Sequence, residues 1–210
     1  MKKTTHNESG WRGSPELWFQ AATEILLESG VDGVKIATLA KRLGLSRTSF
    51  YWFFSDREAL LSALVESWKE KNTGSLVKQT TAYADSLAEA TLNVFDCWID
   101  QSLFDSKLEF AIRSWSLQSK SIQEEVRQAD SQRLTALANM LKRYGFNDIQ
   151  ADVHARTIYL VQIGYISMQT EESLAQRMQR ISEYVNTFTG TYPKDNELER
   201  FYHKHGYQAI

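Results

Sequence analysis

The chain is poor in the residues that non-helical and extracellular proteins lean on. Of its 210 residues one is cysteine, two are proline, ten are glycine and four are histidine. A single thiol, Cys97, excludes an internal disulfide and a cysteine-based zinc site. It lies among Val94, Phe95 and Trp98 in a helical pattern and reads as a packed thiol. Strand-like alternation is nearly absent, whereas 3.6-residue periodicity recurs along the whole length. No window approaches the roughly 18 uncharged apolar residues of a membrane span, so no membrane partner is expected. The start, MKKTTHNESG, has two lysines but no apolar core, so it does not read as a secretory signal. The expected compartment is the cytoplasm.

Histidine poverty also bears on catalysis. No Ser-His-Asp, Cys-His or paired-carboxylate arrangement stands out around His6, His154, His203 and His205. General acid–base chemistry therefore has little to work with, and the chain is read as a non-enzyme without a cofactor. His203 and His205 flank Lys204 with no spaced carboxylate, which is weak support for a metal site, so none is assigned.

What is present suits one or two modest domains with a real core: 42% of residues are hydrophobic and 24% charged. A formal net charge of −2 excludes a uniformly basic nucleic-acid binder. The distribution is uneven, however. Between residues 35 and 57, Lys35, Lys41, Arg42, Arg47 and Arg57 stand against Asp56 alone. Such a local basic cluster is the footprint of a phosphate-facing surface.

Helix signals crowd the N-terminal third. Ser14 caps a first helix, with Pro15 in its first position and Glu16 favoured by the helix dipole. Leu17, Ala21 and Ile25 form one row, Trp18, Ala22 and Leu26 the next, and Gly30 stops the helix. A second helix covers Ile36 to Leu43, buries Ile36, Leu39, Ala40 and Leu43, and stops at Gly44. Ser46 caps a short third helix over about Arg47 to Phe53. Ser55-Asp56-Arg57-Glu58 reads as a capping box opening a fourth helix that ends near Asn72-Thr73-Gly74. Helix, tight glycine turn, helix is the helix-turn-helix arrangement.

The stretch LGLSRTSFYWFFSDREALL, Leu43 to Leu61, holds five consecutive large residues from Phe50 to Phe54. A helix this short cannot bury five rings and still show a face. The wheel divides them: Phe50 and Phe54 go to the core, and Tyr51 and Trp52 are displayed beside Arg47, Thr48 and Ser49. Displayed residues at the start of such a helix meet base edges in a major groove. Arg47 is open to a forked pair of bonds to guanine or to a phosphate contact. Thr48 and Ser49 offer hydroxyls to bases, or cap their own helix. Lys35 and Arg57, at helix starts, suit flanking phosphates, which fix register without reading sequence. Lys41 and Arg42 read as a solvated face.

In this region the sequence resembles the TetR family of bacterial transcription regulators. The matching residues are Gly30, Ile36, Leu39-Ala40, Leu43-Gly44-Leu45-Ser46, Phe50-Tyr51-Trp52, Phe54, Asp56-Arg57-Glu58 and Leu60-Leu61. The resemblance implies that Tyr51 sends its hydroxyl to a phosphate and that Trp52 packs on the sugar-phosphate backbone or a thymine methyl. Three positions depart from the family. Lys35 stands where Ser or Thr is usual, Phe53 where His is common, and Thr48 where Gly or Ala is common.

Residues 75–210 carry five further helical stretches, about 82–101, 104–117, 120–144, 148–169 and 172–189, and a short amphipathic helix near 195–204. The resemblance implies a variable effector domain here, whose last two long helices form the dimer's four-helix bundle. Val161, Tyr165 and Met168 would line one, and Ile181, Val185 and Phe188 the other. Trp98, Phe110, Arg113, Trp115 and Tyr159 are candidate walls of a small-molecule pocket. Arg113 is either an anchor for an acidic ligand or a partner of Glu109, Asp105 or a neighbouring helix.

The reading is an all-α chain. A helix-turn-helix DNA-binding domain, residues 11–72, is joined by helix four to a helical effector-binding and dimerisation domain, residues 75–210. Its expected function is a sequence-specific transcription regulator, a repressor released from a palindromic DNA operator by an unknown small molecule and acting as a homodimer. The alternative is the same DNA-binding fold without an effector, a constitutive or architectural factor.

Overall fold

The computed structural model describes residues 12–208. The polar start and the outermost residues of both expected domains lie outside them. Among the described residues all regular structure is helical, and the chain divides between Glu66 and Ser67 into two compact units.

In the first unit, α1 (Pro15–Ser29) is capped by the Ser14 hydroxyl, which accepts from Leu17 N at 3.3 Å. It buries Trp18, Ala21, Ala22, Ile25 and Leu26, the rows the periodicity marked. Gly30 ends it with φ +73°, a conformation in which a side chain is strained. A 3₁₀ turn, Val31–Gly33, follows, which the helix signals did not indicate. Its Gly33 has no room for a methyl, since an added Cβ would lie 2.9 Å from Ser29 Cβ. Next come α2 (Ile36–Leu43), stopped by Gly44 in the left-handed region, and the very short α3 (Arg47–Phe50). α3 is a single turn, shorter than expected. Phe53 and Phe54 continue as a turn whose amides both donate to the Phe50 carbonyl.

Two expectations change here. α4 (Arg57–Trp68) begins one residue late for the Ser55 box, because Asp56 is its cap: Asp56 Oδ1 accepts from Ala59 N at 2.8 Å. Arg57, expected at a flanking phosphate, is committed to its own chain. Its Nε donates to Val34 O at 2.5 Å, one terminal nitrogen to Val31 O at 2.7 Å, and the other meets Glu58 at 2.8 Å. Val31 O also accepts from Val34 N at 3.1 Å, so the guanidinium fills its second lone pair and pairs the Val34 carbonyl as well.

Helical structure does not stop at Gly74. A π-helical turn, Lys69–Gly74, runs on into α5 (Ser75–Thr80). The second unit then contains α6 (Leu87–Ile99), α7 (Ser106–Ser116), α8 (Lys120–Arg143), α9 (Asp148–Ser167), α10 (Leu174–Thr189) and α11 (Asp195–Lys204). α9 and α10 both open with complete capping boxes, Asn147 with Gln150 and Ser173 with Gln176. α11 is strapped across α6 by polar contacts. Ser86 bonds Glu197 at 2.7 Å, and Asp96 takes Lys204 at 2.5 Å and His205 Nε2 at 2.8 Å. His205 is thereby used by a carboxylate of its own chain. Burial, ahead of the Asp96 charge, pushes the Cys97 thiol up to about 12, in keeping with a packed residue.

The interior of this unit holds a charge network that composition gives no hint of. Glu109 and Arg133 are both fully buried and meet at 2.7 Å. Glu109 also accepts from Trp68 Nε1 at 2.6 Å, Asn72 Nδ2 at 2.9 Å and Arg113 Nε at 2.9 Å. Arg113 and Tyr159 reach Asp130, and the Tyr159 hydroxyl accepts from Arg133 at 2.9 Å. Burial pushes the Glu109 carboxyl up. The charge and hydrogen bonds of Arg133, the Arg113 charge and the Asn72 amide outweigh it and hold the group below its ordinary value.

Two outcomes follow. Glu109→Gln leaves Arg133 buried without its charge partner and should cost about 3–5 kcal/mol in denaturant unfolding at neutral pH. Because folding lowers the Glu109 value, its contribution is present above the ordinary carboxylate range of about 4.3 and is lost as pH falls through the folded value. The stability gap between wild type and variant should therefore close in acid. Arg57→Ala should lower the melting temperature by releasing the Val31 and Val34 carbonyls, at a cost of about 1–3 kcal/mol.

Candidate nucleic-acid interface

The interface is set by how α3 is anchored. Phe50 is fully buried, with Trp18 edge-on at 5.4 Å and Phe54 stacked at 5.5 Å. Fixing Phe50 inward turns the next two residues outward: Tyr51 is 58% exposed and Trp52 62%. Arg47 and Thr48, at the helix start, are exposed as well, so four of the five expected display residues share the solvent side. Ser49 does not. It is 7% exposed, its amide donates to the Ser46 hydroxyl at 3.2 Å, and its own hydroxyl lies 2.9 Å from Ser46 Oγ. In so short a helix the cap consumes the third residue, and Ser49 takes the capping role that was its alternative.

The basic cluster is thinner than the sequence count. Lys35 is exposed at the cap position of α2 and makes no side-chain capping bond. Lys41 is exposed. Arg42, by contrast, is held to α1 by Glu28, with one N–O distance of 2.9 Å, and by Glu24 at 3.5 Å. Arg57 is committed to the Val31–Val34 turn. One cation absent from the sequence reading joins instead: the Arg12 guanidinium lies 3.9 Å from the centroid of the Trp52 ring. No residue spacing links positions 40 apart, so only the fold could reveal it.

In the second unit the candidate ligand residues separate. Arg113 and Tyr159 belong to the buried charge network, where their polar atoms are already paired. Burial lowers and Asp130 raises the Arg113 guanidinium, which ends above its ordinary value, while burial pushes the Tyr159 phenol up. Phe110 and Trp115 are half-buried on α7. Trp98 lines a small groove between α6, α9 and α10 with Phe95, Tyr165, Arg177 and Tyr184. The groove encloses about 30 Å³, room for one or two waters. The Trp98 Nε1–H is buried without an acceptor among the described residues. Arg177 donates to Trp98 O at 2.7 Å, and burial draws its guanidinium below the ordinary value.

The expected dimer residues are divided too. Ile181, Val185 and Phe188 are at most 2% exposed and form this unit's own core, so α10 does not present them to a second chain. On α9, Tyr165 is half-buried and bonds Tyr184, whereas Val161 and Met168 face solvent. Met168 ends a longer stripe at helical spacing, Ile149, Val153, Thr157, Leu160 and Gly164, and Val161 lies beside Leu160. Leu160 is 58% and Met168 80% exposed. That stripe was present in the sequence. Its C-terminal end, Met168, and the neighbouring Val161 are among the expected dimer residues, whereas Ile149, Val153 and Leu160 are not, because Ala151, Ala155, Ile158 and Ile166 form a second apolar stripe on the same helix and periodicity cannot rank the two.

Among the described residues no group of three or more His, Cys, Asp or Glu side chains is arranged to hold a metal. Among the same residues no helix is long and apolar enough to cross a membrane.

Residues 19–64 match the family model described as bacterial regulatory proteins, tetR family. Over 58 residues the chain is 41% identical to the class A tetracycline repressor of transposon 1721 from Escherichia coli, covering 28% of this chain and 27% of that protein. The chain spans from 20% to 35% of the length of the curated relatives it matches. The fold extends the likeness. It superposes on a transcriptional regulator from Aquifex aeolicus with a TM-score of 0.63 at 16% identity, over 83% of this chain and 99% of that one. It also superposes on SmeT, the repressor of the Stenotrophomonas maltophilia multidrug efflux pump SmeDEF, with a TM-score of 0.61 at 19% identity, over 88% and 93%. At these identities the likeness to solved structures is one of fold. Residues 19–64 thus carry a helix-turn-helix segment of the tetR-family type, set in an all-helical fold similar to that of solved transcriptional regulators.

Proposed function

We propose that the protein is a sequence-specific DNA-binding transcription regulator, a repressor, whose reading surface is α3. The observation that carries this is the division of one aromatic run: Phe50 is fully buried while Tyr51 and Trp52 stand exposed beside Arg47 and Thr48. Two large rings in water beside a free guanidinium are costly on a surface with nothing to meet. Against a duplex they supply phosphate, sugar and base-edge contacts. Repression is supported by the names of the relatives, the tetracycline repressor and SmeT.

One α3 reads too few base pairs to be selective, so the active form is a homodimer on a palindrome. The α9 stripe is the surface we assign to it. A stripe of exposed Ile, Val, Leu and Met is an apolar patch that a second copy would cover. Gly164 in its middle has open space around it, which permits close helix approach.

A small-molecule effector fits the α6–α9–α10 groove best, where the Trp98 N–H awaits an acceptor and Arg177 and Arg180 stand at the walls. With room for one or two waters, the groove must open to admit it. By reciprocity, whatever the ligand costs DNA affinity, DNA costs ligand affinity. A second reading, the same regulator without an effector, is favoured by one observation: the Glu109–Arg133 network fills the space that Arg113 and Tyr159 were expected to line. Challenging the DNA complex with fractionated metabolites separates them, since release by any fraction supports the first and release by none the second.

Selection of bound duplexes from random DNA should enrich an inverted repeat, and failure to enrich any sequence would refute the assignment. Arg47→Ala and Tyr51→Phe should each weaken binding to the enriched duplex by about 1–3 kcal/mol in anisotropy titrations while the melting temperature stays unchanged. Leu160→Glu on the α9 stripe should halve the mass in sedimentation and weaken DNA binding, with the helical circular dichroism retained.

A further inference from the structure

We infer that Arg12, held by Trp52, is a phosphate contact of the DNA-facing surface supplied from outside the helix-turn-helix. This rests on the DNA-binding reading of α3. The Arg12 guanidinium lies 3.9 Å above the Trp52 ring. A planar cation on an indole face is a favourable arrangement that leaves its in-plane N–H edges free. Those edges have no carboxylate among the described residues, in contrast to the guanidiniums of Arg42, Arg57, Arg113 and Arg133.

The main chain at Arg12 is not slack. The buried Trp18 donates its Nε1–H to the Arg12 carbonyl at 3.3 Å. Gly13 turns the chain with φ +78° into the Ser14 cap and Pro15, and a Cβ there would come within 3.0 Å of Leu45 Cδ1. Trp18 also packs edge-on against Phe50, the anchor of α3. One buried indole thus fixes both the base of the reading helix and the carbonyl of the residue stacked on its displayed ring. Arg12 is exposed, sits on the solvent side with Tyr51 and Trp52, and carries the forked donor that phosphate accepts in two bonds. Trp52 is then a positioning residue in addition to any contact of its own.

The salt dependence of binding separates these roles. Losing a phosphate contact lowers the slope of log affinity against log salt by about one, whereas losing an apolar contact does not change it. The probes are a random-sequence duplex and the duplex enriched by selection, titrated by anisotropy across a salt series. Arg12→Ala should weaken both duplexes alike, about five-fold at physiological salt, and lower the slope by about one per protomer. Trp52→Leu removes no charge yet should lower the slope by the same amount, and Trp52→Phe should keep it. In the Arg12→Ala background, Trp52→Leu should change the slope no further. Both side chains are exposed, so all variants should keep the wild-type melting curve. If Arg12→Ala leaves the slope unchanged while Arg47→Ala still weakens the enriched duplex, the inference falls and the DNA-binding reading stands. If the wild type binds neither duplex, the reading falls and takes the inference with it.

Discussion

The packing of Phe50 against Trp18 is the interaction on which the exposed surface of α3, the proposed reading surface, depends. α3 is one turn long and has no helical cooperativity of its own to hold its orientation. A fully buried phenylalanine is worth about 3–5 kcal/mol against truncation, and edge-on and stacked neighbours add about 0.5–1.5 kcal/mol per pair. That is enough to fix the rotation of a single turn. Once Phe50 points inward, the helical step carries Tyr51 and Trp52 outward, and the Ser46 cap sets where the turn starts. Trp18 contributes at both ends, through its ring to Phe50 and through its indole N–H to the Arg12 carbonyl.

The second unit is organised by a different constraint, the need to neutralise charges taken out of water. Glu109 and Arg133 are each surrounded by enough partners that neither is left bare, and Asp130 and Arg113 balance the remaining charge. Such networks contribute little net stability compared with apolar packing of the same volume, yet they penalise any arrangement that separates the partners. Here the partners come from Trp68, the π-helical turn, α7, α8 and α9, all within the second unit, so one cluster ties its segments together. The aromatic groove of α6, α9 and α10 lies among other residues, and its unpaired indole N–H marks a place where satisfaction is incomplete.

α9 illustrates a helix with two apolar faces. One packs Ala155, Ile158 and Ile166 into the core of its own unit, and the other carries Leu160 and Met168 in water. A helix hydrophobic on both sides has two faces to cover, and the described residues leave the second one open to solvent.

Local chemistry determined much by itself. Ser14, Gly30, Gly44 and Ser46 act where their hydrogen-bonding groups or backbone freedom say they should. The split of Phe50 from Tyr51 and Trp52 follows from helical period, and α7 to α10 start and stop within two residues of the expected bounds, whereas α6 starts five residues late. These are short-range effects, fixed by neighbours along the chain. What only tertiary structure decided is which surface each face meets. Ile181, Val185 and Phe188 share a stripe that suits a dimer or a core equally, and the core took them. Arg57 had the charge for a phosphate, and two carbonyls of a distant turn claimed it. Ser49 went to a cap, Arg113 and Tyr159 to an ion network, and the Arg12 guanidinium lies on Trp52. Periodicity states which residues lie on one side of a helix. It carries no term for the partner on that side, because burial and pairing energies depend on atoms far away in sequence.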